Sequence, residues 1–321
     1  MRHLVLPCAA ALLSTVAGVR SVLADVTAEE TNRGVTIKIG EELFAEYLIR
    51  SGTKPILWPI NGPTGKPMTR AFPMLDDVAG EEKDHIHQRS CWFTHGNVNG
   101  IDFWSEPGST ANSKSRHGVI EHRKFIRVEG GATAVVAARN AWLDPDGKQQ
   151  CEETRTMTFR HDADRRWIDF DFAITATPGA VTFGETKEGS FGVRVASTIS
   201  VDKKQGGRIV NSHGETDKVA WGKRAEWVDY HGPVDGQRVG LAIFNHPSSL
   251  RAPHYWHVRP YGLFAANPFG ERDFTGAGDG SYTLESGKTF KLSYRLLLHK
   301  GDEKSAKIAE AYSEYAKTPR P

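Results

Sequence analysis

Trp167-Ile-Asp-Phe-Asp-Phe-Ala-Ile-Thr175 sets Ile168, Phe170, Phe172 and Ile174 at every second position, with Asp169 and Asp171 between them. A two-residue period predicts a half-buried antiparallel strand, because successive side chains leave opposite faces of an extended chain. Outward from this stretch, Val119 to Glu129, Thr133 to Leu143, Phe191 to Ile199, Val239 to Asn245 and Thr289 to His299 read the same way. Asp144-Pro-Asp-Gly147, Glu129-Gly-Gly131 and Gly206-Gly207 supply turns. Long strands joined by short polar turns predict an all-β fold, a large antiparallel β-sandwich. One helix is expected near the C-terminus, where Asp302 would cap a segment carrying Ile308, Ala309, Tyr312 and Tyr315 at helical spacing.

Arg2 precedes an apolar run from Leu4 to Val19, and Val22-Leu23-Ala24 offers small residues for cleavage. That pattern reads as a signal peptide over 1–24, with residues 25–321 as one sandwich domain that is periplasmic or secreted. The polar stretch between Gly108 and His117 reads as a long loop within it. No later run approaches the roughly 20 apolar residues of a membrane-spanning helix. Without Arg2 and Arg20 the chain has 39 basic and 39 acidic residues, which gives no footprint for nucleic acid. Beyond the leader only Cys91 and Cys151 remain, and a disulfide and two free buried thiols fit the sequence equally.

Chemistry-bearing residues are densest in Asp84-His-Ile-His-Gln-Arg-Ser-Cys-Trp-Phe-Thr-His95. On one regular strand His85, His87, Arg89 and His95 would share a face. His85 and His87, at i and i+2, could present nitrogens to a divalent metal, the one cofactor suggested. His95 stands roughly 27 Å beyond His87 along a straight strand, so it joins them only if the chain turns. The plainer reading, preferred on sequence alone, is that these histidines hydrogen-bond loops and line a groove without metal. Gly96-Asn-Val-Asn-Gly100 reads as a tight turn, followed by Trp104 as a candidate aromatic wall.

On a strand through 255–259, Tyr255, His257 and Arg259 would face one way, with Trp256 toward the core. In Glu185-Thr-Lys-Glu-Gly-Ser-Phe-Gly-Val-Arg194, Glu188 is a candidate base whose proton affinity Arg194 would set. Arg70, after the turn Asn61-Gly-Pro-Thr-Gly65, is a candidate clamp for a carboxylate or sugar hydroxyls. No phosphate loop, Gly-x-Ser-x-Gly elbow, Cys-x-x-Cys or His-Glu-x-x-His occurs, which argues against nucleotide, serine-hydrolase and zinc-ribbon chemistry.

Taken in order, Asn61-Gly-Pro, Asp84-His-Ile-His-Gln-Arg, Trp92 through Trp104, Lys187-Glu-Gly-Ser-Phe-Gly-Val-Arg194 and Trp256 through Gly270 resemble a bacterial family of unknown function. Its members often carry the label "methane oxygenase PmoA". That label names an integral membrane subunit, at odds with a chain lacking a spanning segment after its leader. The PmoA-like resemblance implies instead an exported protein of polysaccharide-degrading bacteria. The architecture also resembles the galactose-mutarotase type of supersandwich, whose members act on sugars with a histidine acid and a carboxylate base.

These readings converge on a carbohydrate ligand, small or oligomeric, and on an enzyme: a lyase, hydrolase or epimerase acting on a glycoside or oxidised sugar. Catalytic candidates are His85, His87, His95, Glu188 and His257. Substrate-binding candidates are Arg70, Arg89, Trp104, Arg194, Tyr255 and Arg259, and His85 with His87 are the metal candidates. A non-catalytic carbohydrate-binding protein and a metal-dependent oxygenase are the alternatives.

Overall fold

The computed structural model describes Met1, residues 24–109 and residues 115–321. The expected leader therefore lies, apart from Met1 and Ala24, outside the described residues.

Two eight-stranded antiparallel sheets dominate. The Trp167 stretch is a central strand, Arg165–Thr175, paired on one side with Thr289–Lys300 and on the other with Gln149–His161. As its period requires, Ile168, Phe170, Phe172 and Ile174 all enter the core between the sheets. Its opposite face is drier than the alternation predicts. Asp169 is buried under the C-terminal segment and takes Arg295 Nε and Nη2 at 2.6 and 2.9 Å and Arg320 Nη2 at 3.2 Å. The helix Ile308–Tyr315 covers that face through Ile308 and Tyr315, which pack on Trp227, Phe244 and Leu297. Asp302 does not cap this helix. It caps the preceding turn, accepting from Ser305 N–H at 2.9 Å, while Lys307 in the left-handed region begins the helix.

The first sheet runs in the order Val26–Thr31, Gly34–Ile39, Glu42–Ser51, Lys54–Ile60, Cys91–His95, Gly189–Arg194, Leu263–Asn267, Tyr255–Val258. Alternation sends Phe93, Phe191, Ala266 and Trp256 inward, where Phe93 stacks on Phe172 of the other sheet at 4.0 Å. On the outer face one cross-strand row reads Ile56, Trp92, Gly192, Ala265, His257. Gly192 is required there, because a Cβ would stand 2.6 Å from Trp92 Cζ2. Small residues at Gly192 and Ala265 thus leave a depression between Trp92 and His257.

Two expected strands are shorter than read. The 191–199 segment leaves the sheet at Arg194 and closes a 3-10 turn at Ser197–Ile199. Residues 85–95 are strand only over Cys91–His95, because His85 (φ 45°) and Ser90 (φ 54°) break the extended chain. Asn99 and Gly100, both at positive φ, form the expected tight turn between Val98 and Ile101. Cys91 and Cys151 are free buried thiols.

Candidate functional site

Trp104 and Tyr261 pack over the outer face of the first sheet with Trp92 and Ala265, and beside them lies a cleft of about 420 Å³ lined by His85, His87, Trp104, Glu188, His257, Arg259 and Tyr261, together with Gln88, Asp102, Ser105, Thr186 and Lys187. Four segments supply it. The sheet and the turn after it bring His257, Arg259 and Tyr261, the loop 84–90 brings His85 and His87, the segment 102–105 brings Trp104, and the turn before Gly189 brings Glu188.

Each histidine is oriented through Nδ1. His257 Nδ1 lies 3.0 Å from the Lys187 carbonyl, to which it must donate, so the neutral ring carries its lone pair on Nε2. His85 Nδ1 sits 2.6 Å from Asp84 Oδ2, and His87 Nδ1 3.0 Å from Ser109 Oγ. None of the three Nε2 atoms is engaged among the described residues. Burial pushes His257 down to about 3, assisted by the Arg259 and Lys187 charges. His87 falls to about 3 by burial and by the Lys54 and His85 charges. Both rings are therefore neutral at ordinary pH. Glu188 Oε2 stands 3.9 Å from His257 Nδ1, and burial raises its proton affinity against the nearby Lys187 ammonium at 3.2 Å. The walls are aromatic: Tyr261 stacks on His85 at 5.1 Å, and Trp104 leans on His87 at 6.4 Å and Trp92 at 5.2 Å.

Several candidates stand elsewhere. His95 points through the opposite face of its strand into the core, its Nε2 2.8 Å from the Gly184 carbonyl and its ring against Phe183 and Phe269. Being four residues beyond Cys91 on the inward period, it cannot reach the cleft. Arg70 and Arg194 are buried behind the cleft rather than open to a ligand. Arg70 donates to the carbonyls of Glu82, His85 and Gln88, holding the histidine loop in shape. It meets Arg194 on one oxygen, Asp84 Oδ1. Burial and the Arg194 charge push Arg70 down to about 10. Arg194 therefore pairs with Asp84 and not with Glu188, contrary to expectation. Burial opposes ionisation of Asp84, but the His85 bond and the two guanidiniums outweigh it and hold the carboxyl low. Arg89 is taken up by Glu106, which also holds Lys54 Nζ at 2.8 Å. Tyr255 shares the outer face with His257 but stacks on Phe274 under Arg224, lining a separate cavity.

Metal-ligating geometry falls elsewhere too. His85 and His87 belong to no three-ligand group among the described residues, whereas Asp229, His231 and Glu303 place ligand atoms within 4.8 Å of one another. That group is closed by hydrogen bonds: Asp229 accepts from His231 Nδ1 and from His299 Nε2, each at 2.6 Å.

Asp84, Ser109 and Tyr261 were not singled out by sequence reasoning. Only the adjacency of Asp84 to His85, and of Tyr261 to the Arg259-Pro260 corner, signalled them.

Fold and site define a class, an antiparallel two-sheet sandwich with a polar, aromatic-walled cleft on the outer face of one sheet. Within it, the chain belongs to DUF6807, a family of unknown function, whose profile matches residues 34–313. No curated protein sequence matches. Among solved structures the chain is similar to the galactosidase domain of the α-galactosidase-sucrose kinase AgaSK (10% identity, TM-score 0.48, 92% of this chain and 46% of that one). It is also similar to the GH36 α-galactosidase AgaB from Geobacillus stearothermophilus (9%, 0.46, 88% and 42%). A galactose mutarotase-like protein from Clostridium acetobutylicum is a third (8%, 0.38, 86% and 98%). The chain spans under half the length of the two galactosidase structures. No residue role is carried over from these structures. No helix among the described residues is long and apolar enough to cross a membrane.

Proposed function

We propose that this is an exported, sugar-active enzyme that works by proton transfer in the outer-face cleft. One observation carries the reading: His257 offers an unengaged, neutral Nε2 to the same aromatic-walled cleft that holds the Glu188 carboxyl. Glu188, with its raised proton affinity, is the proton donor, and His257 Nε2, with its tautomer fixed by the Lys187 carbonyl, is the acceptor. His87 and His85 contact substrate hydroxyls through Nε2, and Tyr261 and Trp104 supply flat surfaces for the apolar faces of a sugar ring. The Leu4 to Val19 run supports export.

The test is turnover of an oligosaccharide panel followed by reducing-end and ultraviolet detection, which separates hydrolysis from elimination. A His87→Ala, His257→Ala double variant is expected to lose about 10²- to 10⁴-fold in kcat/KM. Unchanged turnover in that variant overturns the assignment. Tight binding with no turnover at any pH makes the protein a carbohydrate-binding module instead.

A further inference from the structure

We infer that the sugar this cleft accepts is acidic, a uronate whose carboxylate pairs with Arg259; the inference rests on the carbohydrate reading above. It comes from a surplus of fixed positive charge. Behind the rim, Arg70 and Arg194 share the single carboxylate of Asp84. Beneath Trp104, Lys54 and Arg89 share that of Glu106. Lys187 pairs with Glu188, and Asp102 is occupied by the Trp104 and Ser105 N–H groups and the Ser105 hydroxyl. Arg259 lines the cleft half-buried, with its guanidinium 5.7 Å from the Trp221 ring centre and no carboxylate or hydrogen-bond partner among the described residues. With Glu188 ionised two cations are thus left over around one cavity, and with Glu188 carrying its proton three are, while the neutral rings of His87 and His257 do not change the balance.

A neutral sugar closing this cleft would return hydroxyl acceptors to Arg259 but no opposite charge, which leaves the cost of desolvating the guanidinium only partly offset. A carboxylate supplies the missing charge, and its two coplanar oxygens match the guanidinium fork. Arg259 is two residues from His257, so the acidic group would sit beside the proton-transfer pair. A sulfate ester brings the same charge without the planar match.

The experiment is calorimetric titration with glucuronate- and galacturonate-containing oligosaccharides, their carboxyl-reduced counterparts, and sulfated analogues. The uronides are expected to bind about tenfold or more tighter than the reduced sugars at low ionic strength, the preference shrinking as salt rises. Arg259→Gln is expected to collapse the preference to within about threefold, while Arg259→Lys keeps part of it. The salt series uses the natural chain, so it stands even if a variant misfolds. Equal affinity for acidic and reduced sugars, or a preference that survives Arg259→Gln, overturns the acidic-sugar assignment and leaves the carbohydrate reading intact. Preference for the sulfated analogues overturns the carboxylate, and binding of no sugar in the panel overturns both readings.

Discussion

Two groups of histidines in this molecule are built from the same parts and do opposite things. Around Asp229, His231 and His299 spend their protons on one fully buried carboxylate, and His299 also donates through Nδ1 to the Lys300 carbonyl at 3.1 Å. Both ring nitrogens of His299 thus face acceptors, and the Asp229 charge overcomes burial to raise its proton affinity. In the cleft, His85, His87 and His257 spend only Nδ1 and keep Nε2 for whatever enters. The difference lies in the acceptor: His231, engaged only through Nδ1, and His299, engaged through both nitrogens, are locked on a buried carboxylate, whereas the cleft rings turn a free nitrogen toward open space.

Replacing the acceptor should break the comparison most sharply. Asp229→Ala leaves two donor rings facing a buried gap and is expected to cost about 3–5 kcal/mol in urea unfolding. His257→Ala should cost far less stability, since its partner Lys187 carbonyl lies beside the open cleft. Equal losses would mean that the cleft ring is structural.

Next in size is a pH effect. Glu188 as a donor is active below its raised pKa and loses its proton as pH climbs through it, so kcat should fall on the alkaline side. Glu188→Gln is expected to remove that limb along with most of the rate, and a limb that persists assigns it to another group. A further effect, confined to acid pH, is on stability. His87 and His257, held near 3 in the fold against about 6.5 in the unfolded chain, bind protons more readily when unfolded. Their contribution is intact above about pH 6.5 and is lost as pH falls toward 3, each adding a slope of up to about 1.4 kcal/mol per pH unit. His87→Gln should flatten the acid limb of a chemical-denaturation series.

The sheets were legible because their signal is local. Ile168 through Ile174 declare a buried face by alternation alone, and the two-sheet sandwich follows from many such runs. The cleft was legible in part: His85, His87, Glu188, Trp104, His257 and Arg259 do meet. His95 was misplaced because two left-handed residues, His85 and Ser90, interrupt a segment that otherwise alternates, and nothing in its letters marks them. Arg70, Arg89 and Arg194 were misread because a guanidinium that binds a ligand and one that binds a carbonyl loop have the same sequence signature. Only the fold shows which acceptors are near.

The row Ile56, Trp92, Gly192, Ala265, His257 carries one more consequence. Its neighbours in sequence, Phe93 and Phe191 among them, belong to the packed interior, and its own Trp92 and Ala265 are buried with Trp104, so the wall that carries His257 is anchored in apolar packing on both faces. The opposite wall is held differently, by one guanidinium: Arg70 grips the carbonyls of Glu82, His85 and Gln88, so a single side chain sets the shape of the loop that presents two of the three cleft imidazoles.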